Sequence, residues 1–85
     1  MIKIEVVYAL PKKQFIIQTI LPKNSTVKTA IIKSKILKIR KEIKLNKNKI
    51  GIYGKIVKLN DIIFEGDRIE IYRSLTFLSK LRSKL

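Results

Sequence analysis

Three of the chain's six carboxylates, Asp61, Glu65 and Asp67, fall within seven residues around Gly66. Clustered carboxylate oxygens are what Mg2+ or Ca2+ takes. The stronger reading is a turn: Gly66 supplies a positive φ, and the acids flank it and pair with neighbouring lysines. The other acids, Glu5, Glu42 and Glu70, are dispersed, and the chain has no histidine and no cysteine. Those two absences remove the commonest general base, the commonest metal ligand, thiol nucleophiles, disulfides and iron–sulfur ligation. No nucleophile–base pair or metal set remains to build a reaction on. The expectation is a protein that is not an enzyme, with no catalytic residue, no metal and no cofactor.

Chemistry without catalysis leaves binding, and the charge balance bears on what could be bound. Twenty basic residues against six acidic ones give a net charge of +14. Such a field draws a protein towards RNA, DNA or anionic lipid. However, 16 of the 20 are Lys and only 4 are Arg, and Ile, at 17, is also in excess. Both Lys and Ile have A/T-rich codons, so composition alone accounts for much of the charge. Nucleic-acid sites favour Arg and aromatic stacking partners. Here there are six aromatics, and Tyr8, Phe15, Phe64 and Tyr72 fall in or beside predicted core strands.

Eighty-five residues make one domain. Ile2, Ile4, Val6 and Tyr8 alternate with Lys3, Glu5 and Val7, the period of a half-buried strand. Leu10-Pro11-Lys12-Lys13 is a turn. From Gln14 to Leu21, Phe15, Ile17, Thr19 and Leu21 share one side; Gln14, Ile16, Gln18 and Ile20 share the other. These segments predict an N-terminal β-hairpin. Pro22 breaks the strand, Ser25 or Thr26 caps a helix, and Val27, Ala30, Ile31 and Ser34 recur at helical spacing with Lys28, Lys33 and Lys35 outward. The helix is expected to end between Ser34 and Leu37, with Leu37 to Ile43 available for a further turn. Short strands follow at Lys49–Tyr53, ended by Gly54, and at Ile56-Val57. The last strand is Arg68 to Tyr72, with Ile69 and Ile71 inward. This order predicts an α+β fold, the ubiquitin-like β-grasp: a mixed sheet of four to five strands covered on one face by one helix, with a crossover that leads to parallel pairing. The domain spans 1–75, and 76–85 form a basic C-terminal tail in which Leu78, Leu81 and Leu85 alternate with Lys80, Arg82 and Lys84.

Several blocks carry a resemblance. Tyr8-Ala9-Leu10-Pro11 followed by Gln14, then Lys47-Asn48-Lys49-Ile50-Gly51-Ile52-Tyr53, Leu59, Gly66-Asp67-Arg68-Ile69-Glu70-Ile71-Tyr72-Arg73 and Leu75 resemble the RnfH family of small bacterial β-grasp proteins. The resemblance runs from about Ile4 to Leu75, and its specific parts are the Gly51-Ile52-Tyr53 and Gly66-to-Arg73 blocks. The chain departs from the family pattern at Ser74, where proline is usual, and in the tail, which lacks an Asp-Pro-Lys stretch. The resemblance implies the fold and a bacterial source, and it assigns no reaction.

Ubiquitin-like carriers act through a terminal Gly-Gly carboxylate that is adenylated. This sequence has no Gly-Gly and ends at Leu85, so carrier chemistry is not expected. Recognition by a surface is. The sheet face turned away from the helix should carry Lys3, Val7, Ile16, Gln18, Ile20, Arg68 and Glu70, with Val7, Ile16 and Ile20 as an apolar patch. Tyr72 and Arg73 stand at the end of the last strand, where an arginine can fork onto a carboxylate or phosphate. The partner-binding candidates are therefore Val7, Ile16, Gln18, Ile20, Arg68, Tyr72 and Arg73, and the expected partner is a protein. The alternative is a basic RNA-binding module using Lys28, Lys33, Lys35, Lys38, Arg40, Lys41, Lys44, Lys47 and Lys49. The N-terminus has no signal-peptide core and no apolar run reaches the ~20 residues of a membrane span. A cytoplasmic protein is expected.

Overall fold

The computed structural model describes residues 1–73. The tail proposed for 76–85 lies outside them. Strands β1 (Ile2–Leu10) and β2 (Lys13–Leu21) form the hairpin; helices α1 (Val27–Ser34) and α2 (Ile36–Ile39) follow; β3 (Ile50–Ile52), β4 (Lys55–Val57) and β5 (Arg68–Ile71) complete the sheet. The strand order is β2-β1-β5-β3-β4. β1 and β5 pair parallel, and the other pairs are antiparallel. This is the mixed five-stranded sheet of a β-grasp.

The alternation in the sequence becomes two faces. Inward rows run across the sheet in register: Ile17, Val6, Ile69 and Ile52 in one, Phe15, Tyr8, Ile71, Ile50 and Val57 in the next. Val27, Ala30 and Ile31 of α1, Ile36 of α2, and Ile43 and Ile63 of the loops close over them. Thr26, in extended conformation, caps α1 by accepting from the Thr29 N–H at 3.3 Å. Of the two cap residues offered by the sequence, Ser25 instead donates to the Pro22 carbonyl, at 2.6 Å.

The helix stops at Ser34 because the next residue, Lys35, takes a left-handed conformation, φ 67°. Its N–H donates to the Ile32 carbonyl at 3.1 Å, a closing bond that usually falls to glycine. The further turn expected over Leu37 to Ile43 is present earlier and shorter, over Ile36–Ile39. The shift follows from the kink: turning at Lys35 drops Ile36 into the core, where it is fully buried.

β3 and β4 are joined by Tyr53 and Gly54, both at positive φ, 48° and 83°. Two such residues make the tight hairpin turn whose twist matches that of the strands. An aromatic residue is unusual there. Tyr53 is held by its hydroxyl, which donates to the Gly66 carbonyl at 2.8 Å.

Candidate protein-interaction surface

The outward face of the sheet is built by registration. Ile16 of β2 stands beside Val7 of β1, then Glu70 of β5, Gly51 of β3 and Ile56 of β4, one row across five strands. A neighbouring row sets Gln18 beside Glu5 and Arg68, and Lys3 pairs with Ile20. The face carries the residues the alternation assigned to it.

Their exposure departs from expectation at one position. Ile16 and Ile20 are open, at 53% and 48% exposure, and Gln18 between them is exposed, but Val7 is only 5% exposed. Val7 sits on an interior strand, between the longer side chains of Ile16 and Glu70. A short side chain there is the floor of the patch rather than a contact. Arg68 is half-buried beside the Glu70 carboxylate, with Nε 4.0 Å from Oε2. Arg73 is half-buried at the end of the described chain.

Tyr72 proves to be a structural side chain. A Cβ built at Gly51 would lie 2.8 Å from one ring carbon of Tyr72 and closer still to its hydroxyl. Only glycine admits the ring. The Tyr72 hydroxyl donates to Glu70 Oε1 at 2.6 Å, and the same oxygen accepts from the Gly54 N–H at 2.9 Å. Asn48 Nδ2 donates to the Tyr72 carbonyl at 2.7 Å, and Asn48 Oδ1 accepts from the Lys44 N–H at 2.8 Å. Burial, then the bond to Glu70, pushes the Tyr72 phenol up to about 12. The bond from Tyr72, then that from Gly54, holds the Glu70 carboxyl below its ordinary value. Asn48, Gly51, Gly66, Glu70 and Tyr72, which carry much of the resemblance, thus lock the last strand to the loop before β3 and to the β3–β4 turn.

Tyr8 does similar work at the other end of the loop. Its ring is in the core, and its hydroxyl donates to Glu42 Oε2 at 3.0 Å. Arg40 binds the same oxygen, from Nη2 at 2.9 Å, and lies over the Phe15 ring. The Tyr8 phenol is raised, first by burial and then by Glu42. The Glu42 carboxyl is lowered, first by its own backbone N–H, with Arg40 and Tyr8 adding to it.

The three clustered acids each accept from a backbone N–H. Asp61 Oδ2 accepts from Lys58 at 2.9 Å, Asp67 Oδ2 from Phe64 at 2.8 Å, and Glu65 Oε1 from Lys3 at 3.2 Å. Lysine side chains were the expected partners; the amide N–H groups, two within the same turns and one across from β1, need no side chain ordered. No group of three acidic side chains converges as a metal set among the described residues.

Phe64 was expected beside the core and is instead 67% exposed. The Phe64-to-Asp67 turn, with Gly66 at φ 84°, fixes the ring outside, where it borders an apolar groove with Ile52, Val57 and Ile62. Sequence reasoning missed this site because Ile62, Ile63 and Phe64 form one apolar run, in which only Ile63 enters the core. No helix of the described residues is long and apolar enough to cross a membrane.

Comparison with known proteins agrees with this architecture. Residues 2–84 match the family described as RnfH family Ubiquitin. Protein RnfH of Cronobacter sakazakii is 53% identical over 74 residues, 87% of this chain and 77% of that protein. A UPF0125 protein of Buchnera aphidicola subsp. Schizaphis graminum is 49% identical over 83 residues, 98% of this chain and 87% of its own length. A ubiquitin-like protein from the archaeon Caldiarchaeum subterraneum superposes with TM-score 0.53 at 17% identity, covering 84% of this chain and 94% of that one. A solved structure from Pyrococcus furiosus gives TM-score 0.64, also at 17% identity, over 87% of this chain and 99% of its own.

Proposed function

The chain belongs to the RnfH family of ubiquitin-like proteins, and from that premise we propose that it is a non-catalytic adaptor of the cytoplasm that binds a protein through the open face of its sheet. One observation carries the reading: Ile16 and Ile20 stand half-exposed on the face away from the helices. Gln18 lies between them, and Lys3, Glu5 and Arg68 stand beside the patch in register. An apolar centre with a charged rim is the usual anatomy of a protein contact. The two isoleucines project from a nine-residue strand, so little order is lost on binding. Tyr72 and Glu70 support the adaptor indirectly, by holding β5, which flanks β1, in place.

Ile16→Glu tests the proposal. The substitution puts a charge on an exposed strand position and leaves the core untouched, so the domain stays folded. Loss of a specific protein partner with an unchanged thermal midpoint is the expected result. Retention of that partner at wild-type level contradicts it.

A further inference from the structure

The helix side of the molecule carries a different kind of surface. Residues 28–49 hold eight lysines, one arginine and a single acid, Glu42, a net charge of +8 (nine basic less one acidic). Glu42 is engaged by Arg40 and Tyr8. Arg40–Glu42 and Arg68–Glu70 are ion pairs of the fold, and neither uses a lysine. The eight lysine side chains of this segment are all exposed.

Two exposed isoleucines stand among them. Along α1 the buried stripe is Val27, Ala30, Ile31 and Ser34. At 100° per residue, Ile32 falls on the opposite side of the helix, with Lys28 and Thr29 on either side of it and Lys33 beyond Thr29. Ile32 is half-exposed, and so is Ile39 at the end of α2, next to Lys38. Aliphatic side chains bordered by lysines fit a lipid headgroup region: the isoleucine enters the boundary with the acyl chains while the lysine stems reach back to phosphate. Nucleic acid would make less use of this surface. The sequence has no aromatic residue between Phe15 and Tyr53, so residues 28–49 offer no base a stacking platform.

We propose that the α1–α2 side is a docking face for an anionic phospholipid surface, bound through Lys28, Lys33, Lys35 and Lys38 with Ile32 and Ile39 inserted between them. This contact is separate from the sheet face that carries Ile16 and Ile20, so Ile16→Glu leaves it intact.

The test is cosedimentation with vesicles of phosphatidylcholine containing about 30% phosphatidylglycerol, against phosphatidylcholine alone, at about 0.15 M salt. A short single-stranded RNA is titrated in the same buffer. The wild-type chain is expected to partition onto the anionic vesicles only. Each lysine near an anionic membrane contributes roughly fivefold, so Lys33→Glu with Lys38→Glu should lower partitioning at least about 25-fold. Ile32→Asn with Ile39→Asn should lower it about fivefold or more and leave RNA binding unchanged, which a purely charge-driven association would not do. If that pair lowers the thermal midpoint, Ile39→Asn alone gives the same comparison. Three results would overturn the proposal: no partitioning onto the anionic vesicles, equal partitioning by the isoleucine variants, or tighter binding to the single-stranded RNA than to the vesicles.

Discussion

Tyr72 shows how a residue that looks like a binding group can be consumed by structure. Its ring needs a neighbour with no Cβ, and its hydroxyl needs an acceptor; Gly51 and Glu70 supply them. Gly51→Ala should therefore destabilise the fold by about 1–3 kcal/mol, because the ring must leave and the bond to Glu70 goes with it. Chemical denaturation measures the loss. The same contact sets a response to alkali. The folded phenol, at about 12, lies above its ordinary value of 10.0. The stability it contributes is complete below the ordinary value and is lost as the pH climbs through the folded one. Wild type should thus lose stability between about pH 10 and 12, and Tyr72→Phe should lose less of it over that window, as read by denaturation at stepped pH. Glu70 carries the opposite sign. Its carboxyl is held low, so its contribution is present above the ordinary glutamate value and fades as the pH falls through the folded one.

At the scale of elements, the two-residue period of β1 and β2 and the 3.6-residue period of α1 placed the core side chains that those three elements contribute, because each follows from which face meets the helix. The strand at Arg68 and the Gly66 turn were legible for the same reason. What did not show was height above the sheet. Val7 has the parity of an exposed residue and is buried by its neighbours in the row, one brought there by β2 across the hairpin and the other by β5 from a distant part of the chain. Phe64 reads as core from its apolar neighbours, and hydrogen bonds within its own turn hold it out. Nor does a lysine announce a left-handed conformation. Lys35, at φ 67°, costs the fold the strain of a Cβ in that region. Lys35→Gly should remove the strain and add about 0.5–1 kcal/mol of stability after the entropy cost of glycine, visible as a rise in thermal midpoint.

For the molecule as a whole, two surfaces lie back to back. The sheet face has a modest apolar patch with charges of both signs around it, and the helix face is almost wholly basic. A net charge of +14 makes nonspecific capture of polyanions the main confounder of any binding study, so the sheet-face reading must be tested where charge alone cannot answer. The most direct measurement is affinity capture from native bacterial extract at near-physiological salt, with nuclease-treated and untreated halves run for wild type and for Ile16→Glu. The adaptor account predicts one defined protein that survives nuclease with wild type and disappears with Ile16→Glu. Bound material that vanishes with nuclease, or a partner held equally by both chains, would contradict it.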